Sequence, residues 1–180
     1  YLLENIHISG DQNHIDCRFP VQYVVRPQVD EYHDYRGYAG RIAGGVFKPG
    51  DDVMVLPSGF TSKVKSIDFL NESLQEAFAP QSVTMTLEDD IDVSRGDMIV
   101  REGNVPKIGQ DLDVMVCWLN QQPLQPGGKY TLIHTSKHIR CMIREVYYKV
   151  NINTLHRIED DKNIKMNDIA KLKLRTTEPL

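Results

Sequence analysis

His134 and His138 stand four residues apart, the spacing at which a helix presents two imidazoles to one metal ion. They flank Thr135-Ser136-Lys137, which reads as a turn between strands, and no third ligand accompanies them. Exposed or hydrogen-bonded histidines account for the pair better. Glu88-Asp89-Asp90 and Glu159-Asp160-Asp161 supply carboxylates of the kind used in general acid–base chemistry. Adjacent residues on a strand point to opposite faces, so a solvated loop explains each run better. His7, His14, His33 and His156 are dispersed, and no Ser–His–Asp arrangement emerges. Cys17, Cys117 and Cys141 form no Cys-x-x-Cys pair and read as reduced thiols of a cytoplasmic protein. The phosphate loop Gly-x-x-x-x-Gly-Lys-Ser/Thr, whose backbone N–H groups surround phosphates, is absent. Gly44-Gly45-Val46-Phe47-Lys48-Pro49-Gly50 is glycine-rich, but Pro49 removes a donor. Asp34-Tyr35-Arg36-Gly37 satisfies a bare Asp-x-x-Gly, and no guanine-reading Asn-Lys-x-Asp follows. The residues therefore predict no catalytic group, cofactor or metal in this chain.

The segment from Tyr32 to Arg41 is more unusual. It packs Tyr32, Tyr35 and Tyr38 with Arg36 and Arg41 beside Gly37 and Gly40. Tyr and Arg concentrate at interface hot spots because they combine contact area with several donors. A partner-facing surface and a long hairpin whose tyrosines cover its own barrel are both open readings. Arg95-Gly96-Asp97 matches an adhesion tripeptide, but a β-turn accounts for it.

These side chains need elements to hold them. The chain has 180 residues, 41% of them apolar and 26% charged, with a net charge of −4, the profile of a globular protein. The acidic balance argues against sequence-independent binding to nucleic acid. No apolar run approaches the roughly 20 residues that cross a bilayer. The start, Tyr1-Leu2-Leu3-Glu4-Asn5-Ile6, has no signal-peptide pattern. Val, Ile and Thr together number 39 and Ala only 5, which favours strands. Val83-Thr84-Met85-Thr86-Leu87 alternates apolar and polar, as does Lys63-Val64-Lys65-Ser66-Ile67, and Ile139-Arg140-Cys141-Met142-Ile143 less cleanly. The best helical candidates are Asn71 to Phe78 and the first few residues.

Turn signals divide the strands. Pro49-Gly50, Pro57-Ser58-Gly59 and Pro126-Gly127-Gly128 mark reversals. One feature recurs: Gly or Asn, then Asp, then an apolar strand start, at Gly50-Asp51-Asp52-Val53, Gly96-Asp97-Met98, Gly109-Gln110-Asp111-Leu112 and Asn167-Asp168-Ile169. The Asp accepts hydrogen bonds from nearby backbone while Gly or Asn tolerates left-handed φ. The spacing suggests two successive β modules with a boundary at Glu102 to Lys107. The expectation is all-β: two small barrels, residues 16–104 and 105–180, preceded by a linker at 1–15.

An ordered series of strings carries a resemblance. Phe19-Pro20-Val21-Gln22-Tyr23-Val24-Val25-Arg26-Pro27 runs into Tyr35-Arg36-Gly37-Tyr38-Ala39-Gly40. Val53-Met54-Val55-Leu56-Pro57-Ser58-Gly59 and Asp90-Ile91-Asp92-Val93-Ser94-Arg95-Gly96-Asp97 follow. Val116-Cys117-Trp118-Leu119, Gln122-Pro123-Leu124, Val150-Asn151-Ile152-Asn153-Thr154-Leu155 and Met166-Asn167-Asp168-Ile169 continue it. The series resembles the large, GTP-binding subunit of bacterial sulfate adenylyltransferase (ATP sulfurylase). One departure is the longer stretch Val29-Asp30-Glu31-Tyr32-His33-Asp34-Tyr35, with Tyr35 where the family usually has Phe.

The resemblance implies a build like elongation factor Tu, in which a G domain precedes two β-barrels. It implies that this chain is the two barrels, like domains 2 and 3 of that factor. Residues 1–15 would be the tail of the G domain, and the second barrel would be C-terminally truncated and incompletely sealed. GTP and Mg would then sit in the absent G domain, and adenylyl transfer on a separate small subunit. The barrels would couple GTP hydrolysis to formation of adenosine 5′-phosphosulfate from ATP and sulfate, without activity of their own. The expected partners are the G domain and the small subunit, with no nucleic acid and no membrane. Tyr35, Arg36, Tyr38 and Arg41 are the expected contacts. The alternative is a tRNA- or partner-binding barrel of a translational GTPase.

Overall fold

The computed structural model describes residues 5, 10, 12–27, 35–70 and 72–180. The expected helical start, apart from Asn5, and the unusual stretch Val29 to Asp34 lie outside the described residues, as does Tyr32. The chain divides into two compact units, Tyr1–Pro106 and Lys107–Leu180. Among the described residues no helix is long and apolar enough to cross a membrane.

The first unit contains strands β1 (Arg18–Val25), β2 (Gly37–Arg41), β3 (Val46–Phe47), β4 (Asp52–Leu56), β5 (Thr61–Phe69), β6 (Glu72–Ser73), β7 (Ala77–Phe78), β8 (Ser82–Leu87) and β9 (Met98–Arg101). All their pairings are antiparallel, in the order β4-β9-β1-β2-β8-β5-β6, and β4 also pairs with β5. β1 and β5 each serve two sheets. Arg18 to Pro20 pair with β9, and Val21 to Val25 with β2. Thr61 to Lys63 pair with β4, and Val64 to Asp68 with β8. The pairings therefore return on themselves through two sheets sharing two strands, not through one evenly closed barrel.

Alternation directs Phe19 and Val21, Val53 and Val55, and Val83 and Met85 inward, where they meet Tyr38, Phe47, Ile67 and Ile99 in one dry core. Phe19 and Phe47 meet edge to face with centroids 6.3 Å apart. Gly40 permits this packing, because a Cβ there would collide with the Pro20 carbonyl oxygen.

The helical expectation at Asn71 to Phe78 is overturned. Glu72–Ser73 pairs with β5 and Ala77–Phe78 with β3, so non-local ladder bonds outweigh local helix propensity. The recurring Gly/Asn–Asp feature takes the expected form at three of its four places, and not at Gly109-Gln110-Asp111, where Gly109 has no positive φ and Asp111 instead lies 3.6 Å from Arg175. Asp51, Asp97 and Asp168 each accept the N–H of the residue three before, Lys48 at 2.9 Å, Ser94 at 2.8 Å and Lys165 at 2.7 Å. Gly50, Gly96 and Asn167 before them have φ of 89°, 99° and 70°.

The second unit contains β10 (Asp111–Cys117), β11 (Lys129–His134), β12 (Lys137–Val150), β13 (Arg157–Ile158) and β14 (Ile169–Thr176). Their order is β10-β14-β12-β11, with β13 on the end of β12. Among the described residues β10 pairs only with β14 and β11 only with β12, so the expected barrel is an open sheet. Its inward face carries Ile143, Val146, Ala170, Leu172 and Leu174, covered by Leu124 and Ile164 from loops. Leu112, Val114 and Val116 of β10 are only half-buried. At one end Lys149 clamps the loops. Its Nζ donates to Asp161 at 2.7 Å and lies 3.2 Å from Asp168, and only 12% of its side chain is exposed.

Candidate functional site

The structure brings three of the four expected contact residues together and leaves the fourth elsewhere. Tyr35 and Arg36 lead into β2, and Tyr38 is its second residue. The Tyr35 ring lies over Gly37, where a Cβ would fall 2.9 Å from the ring and 2.7 Å from Thr84 Cγ2. Only a residue without a side chain lets the ring close on the sheet there. Burial, and then the charge of Asp68, push the Tyr35 hydroxyl above its ordinary range.

Arg36 is a tie between two segments. Nη1 donates to Asp90 Oδ1 at 2.6 Å and Nη2 to Asp92 Oδ1 at 3.1 Å. Both carboxylates belong to the stretch after β8, and only 18% of the Arg36 side chain is exposed. Its buried Nε has no hydrogen-bond partner. Burial acts most strongly and pulls its pKa down. The hydrogen bond to Asp90 and the nearby charges outweigh that and raise it overall, so the group stays cationic. The guanidinium also stands 6.0 Å from the centroid of the Tyr38 ring.

Tyr38 is a core residue, 1% exposed, whose hydroxyl donates to the Ile91 carbonyl at 3.3 Å. Burial raises its pKa, with Arg36 pulling the other way. Tyr38 thus supports the site from beneath. Arg41 sits at the opposite end of β2, roughly 16 Å along the strand from Arg36 by strand rise. It is exposed, and its Nε donates to Pro80 O at 3.1 Å.

Around Tyr35 and Arg36 opens a cleft of about 590 Å³, whose lining includes Arg26, Lys65, Ser66, Thr86 and Asp90. Lys65 reaches it through a β-bulge. Val64 pairs with Leu87 and Ser66 with Thr86, so Lys65 is the extra residue. Ser66 and Thr86 bond to each other at 2.8 Å, and Ser66 Oγ donates to Asp68 at 3.0 Å. Neither Arg26 nor Lys65 forms an ion pair with another described residue. Sequence reasoning missed Lys65, Ser66 and Thr86. The signal was present: Val64 and Ile67, both inward, are three apart rather than two, which alternation does not permit without a bulge.

The cleft is lined by three cations, Arg26, Arg36 and Lys65, by the carboxylates of Glu88, Asp89 and Asp90, by paired hydroxyls and by an aromatic wall. These groups can hold a charged or polar partner by ion pairs and hydrogen bonds. Among the described residues no group of three His, Cys, Asp or Glu is arranged to hold a metal ion.

Residues 111–180 match the family described as GTP-eEF1A C-terminal domain-like. A bifunctional enzyme CysN/CysC of Mycobacterium tuberculosis is 46% identical over 179 residues, which cover 99% of this chain and 29% of that protein. A sulfate adenylyltransferase subunit 1 of Bacteroides thetaiotaomicron is 41% identical over 186 residues, covering 99% of this chain and 38% of it. The chain thus spans about a third of the length of these relatives. Among solved structures, sup35 complexed with GDP superposes with a TM-score of 0.79 at 17% identity, over 94% of this chain and 41% of that one. Translation elongation factor SelB from Methanococcus maripaludis gives 0.72 at 21% identity, over 99% and 39%. These two likenesses show the fold: an all-β pair of units of the kind found in translation factors.

Proposed function

We propose that this chain is a segment of a sulfate adenylyltransferase subunit 1, the all-β coupling portion of that enzyme's GTPase subunit. The observation that carries the reading is identity of 41% to 46% over 99% of the chain. In this reading GTP and Mg are held by polypeptide outside this chain, and adenylyl transfer occurs on a separate small subunit. The two units carry no chemistry. They convey the GTPase state to the formation of adenosine 5′-phosphosulfate from ATP and sulfate, in the cytoplasm.

Two features of the first unit support that role. Its pairings run in a cycle, so a push at one point moves the unit as a body. The Arg36 tie to Asp90 and Asp92 fixes the rim where Tyr35 and the cleft meet solvent. Tyr35, Arg36 and exposed Arg41 are the residues through which the unit meets the G domain or the small subunit.

The test uses the whole GTPase subunit reconstituted with its small subunit. Arg36→Ala should reduce the adenosine 5′-phosphosulfate formed per GTP hydrolysed several-fold, with GTP affinity unchanged. Unaltered coupling in a folded variant overturns the assignment of these residues. Micromolar retardation of charged tRNA by the same subunit overturns the whole reading in favour of a translational module.

A further inference from the structure

The two units carry opposite charge. Residues 1–106 hold nine Lys and Arg against seventeen Asp and Glu, whereas residues 107–180 hold twelve against eight. The excess of cations in the second unit is not scattered. In β14 Ala170, Leu172 and Leu174 face the core, so Lys171, Lys173 and Arg175 all face outward. The register extends this face to the neighbouring strands. Arg175 stands opposite Met142, and Met142 opposite Lys129; Arg140 stands opposite Thr131. Ile139, Cys141 and Ile143 point inward between them.

Some of this charge is compensated. Arg175 lies 3.6 Å from Asp111, and Lys171 3.9 Å from Asp113. Lys129, Arg140 and Lys173 form no ion pair with another described residue. The Lys171 ammonium also stands 5.6 Å from the Tyr147 ring, whose hydroxyl donates to Asp113 at 3.1 Å. The face is therefore a basic sheet surface with an aromatic and a methionine set into it.

The β14 cations recur every second residue, roughly 7 Å apart. An extended peptide with carboxylates at alternate residues has the same repeat. A nucleic-acid backbone fits less well, because Asp111, Asp113 and Glu145 interrupt the face and would oppose its unbroken negative charge, whereas a peptide with carboxylates only at alternate residues can set neutral residues between its charges. We infer that the outward face of the second unit's sheet is a docking surface for an extended, carboxylate-rich protein segment. The inference stands apart from the sulfate-activation reading, since it rests on charge and register alone.

The experiment uses the full chain with two labelled probes, a peptide of alternating Glu and Thr and a duplex RNA, followed by fluorescence anisotropy. The peptide binds at low ionic strength, weakens as salt rises, and binds more tightly than the RNA. Lys129→Glu with Arg140→Glu weakens peptide binding about tenfold or more, and the Gln pair at the same positions gives an intermediate loss. Lys48→Glu with Arg95→Glu, an equal change of charge on the first unit, shifts it less than about twofold. Absence of peptide binding at low salt, equal losses in the two charge reversals, or tighter binding of RNA overturns the proposal.

Discussion

Phe19 and Val114 stand on strands of similar length, each pointing toward its unit's core, yet their surroundings differ. Phe19 has no exposed surface, because the pairings of the first unit run in a cycle and cover the core from every side. Val114 is half-buried, because β10 is the end of an open sheet and pairs on one side only, with β14. Rings edge both cores, since Trp118 meets Tyr130 edge to face at 5.6 Å against the second, but the remaining supports differ. The first has Phe19 against Phe47 and Tyr38 beneath Arg36. The second relies at one end on a charged clamp, Lys149 between Asp161 and Asp168. The difference teaches that similar strand patterns give a self-sufficient core only when the last ladder bond returns to the first strand.

The comparison is broken most directly at Phe19. Phe19→Ala should destabilise the first unit by about 3–5 kcal/mol. Amide exchange resolved by unit should show the loss in residues before 106 and little after. Equal losses in both would mean that the units unfold as one. Lys149→Met should come next, costing the second unit about 1–2 kcal/mol through lost charge-assisted hydrogen bonds. The same pair predicts a pH dependence. The Lys149 hydrogen bond holds the Asp161 carboxyl below its ordinary 3.8. Its contribution is therefore complete above 3.8 and lost as pH falls through the depressed value. Lys149 is raised above 10.5, chiefly by the hydrogen bond it donates to Asp161, so its contribution is complete below 10.5 and lost as pH rises through the elevated value. Denaturant midpoints of the second unit should fall at both extremes, and Lys149→Met should remove that share. Val114→Ala is expected to cost least, about 1 kcal/mol. A loss near that of Phe19→Ala would show that β10 is covered in solution.

How much of this was legible depended on the range of the interaction. The Gly-Asp and Asn-Asp turns could be read because donor and acceptor lie three residues apart, as Asp97 and Ser94 do. The candidate site was legible only in part. Tyr38 sits between Gly37 and Ala39, which show no clear inward or outward preference, so alternation had nothing to mark it as core. Lys65 and Thr86 come to line one cleft through a bulge, which shifts register by one residue and is set by the partner strand. In β12 register shifts between Ile143 and Glu145 and between Val146 and Tyr148 blur the pattern again. The split in charge is plain from residue types, but its concentration on one face appears only once β14 is paired on both sides.

β1 and β5 each change partners midway. A backbone cut at Pro20 or Val64 would sever both sheets at once, whereas a cut in the turn at Ser58 and Gly59 interrupts neither shared strand. A rearranged gene that starts the polypeptide at Gly59 and joins its old ends by a tether should thus still yield a folded first unit, while one that starts at Val64 should not.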